Sequence, residues 1–102
     1  MGKYVLAYKG GKMAETPEAQ EAAMQAWMSW FGSLGSAVVD GGNPFGPATA
    51  VQSDGSTGKA SAGLTGYSIL EADSLELAAK LAGGCPVLGS GGTVEVYEAL
   101  PM

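Results

Sequence analysis

Apolar residues recur along this chain with two different periods, and each change of period marks an element. From Met1 to Lys9 the period is two: Tyr4, Leu6 and Tyr8 share one face, and Val5 and Ala7 share the other. Both faces are apolar, as in a central strand covered on both sides, and Gly10-Gly11 ends it. The period then lengthens. Thr16-Pro17-Glu18 opens a helix, with threonine as cap, proline at the first helical position and glutamate at the positive end. Ala19, Ala22, Ala23, Ala26, Trp27, Trp30, Phe31 and Leu34 follow at three- and four-residue steps and form one apolar stripe, which ends at Gly32 or Gly35.

The second half repeats the alternation. Ser36 to Asp40 reads as a short strand leading into Gly41-Gly42-Asn43-Pro44-Phe45-Gly46-Pro47, a segment dense enough in glycine and proline to specify a shaped loop. Thr49 to Ser53 reads as a third strand and Asp54 to Gly58 as a turn. Leu64 to Glu71 is a fourth strand, with Tyr67 and Ile69 on one face and Leu64 and Leu70 on the other. Asp73-Ser74-Leu75-Glu76 caps a second helix whose stripe is Leu75, Ala78, Ala79 and Ala82. Gly83-Gly84 closes it, Pro86 prevents its continuation, and Thr93 to Ala99 is the last strand.

The predicted order is β-α-β-β-β-α-β, an α+β, ferredoxin-like sandwich with one additional strand, in a single domain spanning residues 1–102. Two helices cover one face of such an antiparallel sheet. The other face then carries Val5, Ala7, Tyr67, Ile69 and Tyr97, or their opposites, and either set is too apolar to be left wet. Pairing two sheets face to face in a two-fold homodimer is the simplest cover.

Composition narrows the chemistry. Ten acids stand against five lysines, for a net charge of −5, and there is no arginine. That field has the wrong sign for nucleic acid, and no side chain can grip phosphate with a bidentate fork. Histidine is absent and cysteine occurs once, which excludes a Ser-His-Asp or Cys-His arrangement within the chain, a zinc site and an internal disulfide. No metal or cofactor is expected. The first nine residues lack the features of an export signal, and no stretch approaches the roughly 20 apolar residues of a membrane helix, so a cytoplasmic location is expected. Gly58-Lys59-Ala60-Ser61 fails as a phosphate loop, because the earlier glycine would fall at Ser53.

Several landmarks, in order, resemble the YCII-related family. They are Lys3-Tyr4-Val5-Leu6-Ala7-Tyr8, the helix bearing Trp27 and Trp30 and closing on Leu34-Gly35, and Val39-Asp40-Gly41-Gly42 with Pro44-Phe45-Gly46-Pro47. Leu64-Thr65-Gly66-Tyr67-Ser68-Ile69, Ala72-Asp73-Ser74-Leu75-Glu76, Gly84-Cys85-Pro86 and Val94-Glu95-Val96-Tyr97-Glu98 complete the match, which covers nearly the whole chain. The resemblance implies a dimeric α+β barrel in which two ferredoxin-like sheets face each other. Some relatives carry a proposed His-Asp pair, and a few related barrels catalyse cofactor-free isomerisation or dehalogenation. This chain departs from them in having no histidine, and where the neighbouring branch has Asp-Gly-Pro-Phe it has Asp54-Gly55-Ser56-Thr57.

The site candidates follow from position. Asp40, at a strand end beside the glycine-rich loop, is the candidate general base, or the cap of a turn. Trp27 on the helix stripe, Tyr67 on the fourth strand and Asn43 in the loop are the candidate ligand-binding residues of a cleft between helix and sheet. Asp73 matches the family aspartate, but without histidine it is expected to cap its helix. Cys85 is expected to be a small buried residue with nothing beside it to activate the thiol. The leading expectation is a homodimer that binds a small, mostly apolar or aromatic molecule. A cofactor-independent acid–base enzyme using Asp40 and a protein-interaction module are the alternatives.

Overall fold

Strand β1 (Gly2–Lys9) forms because Tyr4, Leu6 and Tyr8 all need burial on one face, and all three are buried. It lies at the centre of an antiparallel sheet in a computed structural model describing residues 2–11 and 15–101; Met1, assigned above to this strand, lies outside that range. Helix α1 (Pro17–Leu34) starts as its sequence dictates, with the Thr16 hydroxyl accepting the Ala19 N–H at 3.1 Å and Pro17 in the first turn. It ends at Gly35, which takes φ 57° and donates its N–H to the Phe31 carbonyl. A 3₁₀ turn (Gly35–Ala37) takes the first two of the five residues that the sequence pattern assigns to a strand, leaving β2 (Val38–Asp40) three.

Strand β5 (Leu64–Ala72) and strand β6 (Thr93–Ala99) flank β1, and the sheet order is β2-β5-β1-β6, all antiparallel. This α+β arrangement is compatible with a ferredoxin-like plan. The expected third strand does not join it. Strands β3 (Ala50–Val51) and β4 (Thr57–Gly58) instead pair with each other in a separate two-stranded ribbon. The reason is local: Asp54 accepts both the N–H and the hydroxyl of Ser56, and Gly55 takes φ 89°, so the intervening segment folds back at once. With Val51 exposed and only polar or small neighbours, the ribbon has no apolar face to place on the sheet.

Helix α2 (Leu75–Ala82) is capped by Ser74, whose hydroxyl accepts the Leu77 N–H at 3.1 Å; Asp73, expected to cap it, does not. Pro86 does not merely stop a helix. It starts a short one, α3 (Pro86–Gly89), because a proline needs no partner for the N–H it lacks.

The core lies on one sheet face. Leu6, Tyr8 and Leu70 pack with Trp30 of α1, Ala82 of α2, and Cys85 and Val87 around α3, with Trp27, Phe31 and Leu34 partly buried against them. Trp30 donates its indole N–H to the Leu81 carbonyl at 3.3 Å and so ties α1 to α2. The stripe of α1 is used unevenly. Trp30 is buried, whereas Ala19, Ala22, Ala23 and Ala26 are exposed. By strand alternation Val5, Ala7, Tyr67, Ile69 and Tyr97 occupy the opposite face of the sheet. Tyr97 there is 54% exposed. The chain measures 44 × 39 × 19 Å, with a radius of gyration of 14.9 Å against about 13 Å for a compact domain of this length.

Candidate functional site

The loop after β2 is held to β5 by its own backbone. Phe45 donates its N–H to the Thr65 carbonyl at 2.9 Å, Tyr67 donates to the Asn43 carbonyl at 3.4 Å, and Pro44 bridges to Gly66. Only glycine fits at position 42. Its φ is 76°, and a Cβ there would overlap the Tyr67 carbonyl.

Side chains brace this loop from both faces of the sheet. On the covered face Tyr8 donates its hydroxyl to Ser68 Oγ at 2.7 Å, and Ser68 in turn donates to the Gly41 carbonyl at 2.6 Å. Ser68 is fully buried, and burial pushes the Tyr8 hydroxyl up to about 12 in pKa, offset in part by the Ser68 hydrogen bond. The Tyr8 hydroxyl therefore stays protonated as a donor at neutral pH. On the open face Asp40 Oδ1 accepts the Gly42 N–H at 2.8 Å, and Oδ2 accepts the Tyr67 hydroxyl at 3.4 Å. The Phe45 ring stacks on Tyr67 with centroids 5.8 Å apart and planes at 19°.

Between this loop and α1 lies a cavity of about 450 Å³, within the usual range for small-molecule sites. Aromatic residues dominate its wall. Trp27 meets Tyr8 edge-on at 5.0 Å and lies 5.8 Å from Phe31, and all three border the space. Met24 of α1 and Val87 of α3 add apolar surface, while Gly41, Gly42, Asn43 and Pro44 form the rim opposite the helix. Among the described residues no lysine, aspartate or glutamate borders the cavity.

The structure thus brings Trp27, Asn43 and Tyr67 around one cavity and leaves Asp40 outside its lining, two residues from Gly42, where it closes a turn. Asp40 is exposed. Cys85 is buried, and burial pushes its thiol up to about 11 despite a compensating Val87 N–H. Among the described residues no group of three or more His, Cys, Asp or Glu side chains could hold a metal ion, and no helix is long and apolar enough to cross a membrane.

Sequence reasoning did not single out Tyr8, Phe31, Met24 or Ser68 as site residues. Tyr8 and Phe31 read as core by periodicity, and their exposure to a cavity depends on how far α1 stands from the loop. Ser68 carried a usable signal: alternation from Leu70 puts a hydroxyl on the buried face, where it must find partners. The chain matches no protein-family model and no curated protein.

Proposed function

We propose that this chain is a small-molecule-binding domain of the YCII-related kind, which works as a homodimer and takes an uncharged, largely aromatic ligand in the cavity beside Trp27. The observation that carries this reading is the composition of the cavity wall: three aromatic rings, a methionine, a glycine-rich rim and, among the described residues, no charge. A charged ligand would have to shed water with no opposite charge to meet it there. A flat apolar one gains burial and ring stacking. Asn43 supplies a carboxamide at the rim for one or two directional hydrogen bonds.

Dimerisation is supported by area. The chain exposes 7031 Å², whereas a compact 10.2 kDa chain exposes about 5,300 Å². The excess of roughly 1,700 Å² is more than one side of a standard interface, about 800 Å². The open sheet face suits a second copy, since half-buried Val5 and Ile69 and exposed Tyr97, around an already buried Ala7, are bordered by both Lys3 and Lys9 and by Glu71 and Glu95. Mixed charge at the rim of an apolar centre is self-complementary under a two-fold axis. The occupant is thus a second copy, and the pair forms a dimeric α+β barrel.

The test is binding of Nile red, an uncharged flat dye, followed by its emission shift. Affinity should change less than about twofold between low and high salt, because no ion pair contributes. Trp27→Ala should weaken it about tenfold or more, corresponding to loss of a large aromatic contact. Unaltered affinity in Trp27→Ala would place the ligand elsewhere and refute the assignment.

A further inference from the structure

The same residue, Tyr67, belongs to the cavity rim and to the uncovered sheet face. Its backbone carbonyl packs on Gly42 and its N–H is paired with Asn43, so it sets the position of the loop that borders the cavity. Its side chain lies on the other face, where the ring stacks on Phe45 and the hydroxyl reaches Asp40, the residue that holds the Gly42 N–H. Among the described residues the side-chain braces of the loop on that face are thus Asp40 and Phe45, and Tyr67 contacts both. Those braces are incomplete in the single chain. The Tyr67–Asp40 hydrogen bond is long at 3.4 Å, and Phe45 is 46% exposed. Water competes for the hydroxyl and carboxylate and leaves one side of the ring stack without a neighbour.

We infer that pairing of two chains through the open sheet face and ligand binding in the cavity are coupled through Tyr67. The inference rests on the cavity and the dimer proposed above. Covering the face excludes water from the Tyr67–Asp40 pair and buries the Phe45–Tyr67 stack. A charge-assisted hydrogen bond strengthens when water is removed from it. The loop from Gly41 to Phe45 is then held more firmly in the position that closes the cavity, and a ligand no longer bears the cost of ordering it. The coupling is positive, and linkage requires that ligand tighten the dimer by the factor by which the dimer tightens ligand. The braces on the covered face, Tyr8 and Ser68, are already buried and so do not respond to pairing.

The experiment compares Nile red affinity in the dimer and in a monomer. Tyr97→Lys serves as the monomeric form: Tyr97 lies on the open face of edge strand β6, is half exposed, and is not among the residues bordering the cavity. The wild-type dimer should bind about tenfold more tightly than Tyr97→Lys, within the range common for site-to-site coupling. In a Tyr67→Phe background, which keeps the ring stack and removes the hydroxyl, pairing should persist and that ratio should fall below about threefold. A dilution series of unmodified protein across its dissociation midpoint gives the same ratio without relying on the Tyr97→Lys fold. Equal affinity in dimer and monomer overturns the coupling while leaving the site and the dimer standing. A ratio that survives Tyr67→Phe overturns the assigned route. Absence of dye binding in both states, or of pairing at any concentration, overturns the underlying reading and this inference with it.

Discussion

Ser68→Ala removes a hydroxyl that links the core to the cavity rim, and its cost follows from what it strands. Ser68 is 0% exposed, accepts the Tyr8 hydroxyl at 2.7 Å and donates to the Gly41 carbonyl at 2.6 Å. In the variant the Tyr8 hydroxyl, on a residue only 6% exposed, keeps its donor without a partner. Leaving a buried donor unsatisfied costs about 1–3 kcal/mol. Gly41 is exposed, so water can replace the lost donor at its carbonyl, and that bond contributes only about 0.5–1 kcal/mol. The sum is about 1.5–4 kcal/mol. At an m-value of about 1.5 kcal/mol/M, the urea midpoint should fall by roughly 1–2.7 M with m unchanged, at a fixed protein concentration. Tyr8→Phe alone should cost about 1 kcal/mol, because Ser68 still serves Gly41. The double variant removes donor and acceptor together, and should be less destabilised than the sum of the singles by about 1 kcal/mol. A Ser68→Ala loss below 1 kcal/mol, or strict additivity with Tyr8→Phe, would show that the hydroxyl chain does not brace the loop.

The proposed dimer predicts a sedimenting mass of about twice 10.2 kDa at micromolar concentration, and a clean monomer there would remove the basis for an α+β barrel. Stability should fall as pH rises through roughly 9–12. Tyr8 and Cys85 have folded pKa values of about 12 and about 11, above their ordinary values of 10.0 and 9.0, so the folded state holds protons that the unfolded state releases. Their contribution is complete below pH 9 and shrinks above it, by about 2–3 kcal/mol each at the far end; alkaline urea titrations of wild type and Tyr8→Phe should differ in slope between pH 10 and 12. The same burial leaves only about one Cys85 in a thousand as thiolate at pH 8, so iodoacetamide labelling should require unfolding, and Cys85→Ser should retain dye binding. Asp40→Asn keeps an oxygen for the Gly42 N–H and should change stability by less than about 0.5 kcal/mol, whereas Asp40→Ala should cost about 1 kcal/mol; equal losses in thermal melts would mean that the turn does not depend on this acceptor.

Local rules carried much of this protein. Two-residue alternation over Tyr4-Leu6-Tyr8 and Leu64–Glu71 and the Thr16-Pro17-Glu18 start of α1 each act within a few residues and appear in the structure where the sequence pattern places them, and of the two glycines offered as the end of α1 the structure uses Gly35. Trp27 was legible as a neighbour of a cleft for the same reason, since the helix stripe follows from periodicity; Asn43 and Tyr67 also border the cavity, but Tyr67 does so through its backbone, with its ring on the opposite face of the sheet. The departures arose where local signals competed. Asp73 and Ser74 are both good caps, and the backbone at Ser74, at φ −154°, decides between them. The 49–53 segment had strand-like residues but no face for the sheet, so pairing with its own return strand won. What only the tertiary structure decided are distances between segments far apart in sequence. The separation of α1 from the Gly41–Pro44 rim turns Tyr8 and Phe31 from core into cavity wall, and the 60 residues between Tyr8 and Ser68 close into one hydrogen bond. Periodicity assigns a face to each side chain. It does not set how far apart two faces stand, which depends on the summed packing of Trp30, Leu70, Ala82 and Val87 between them.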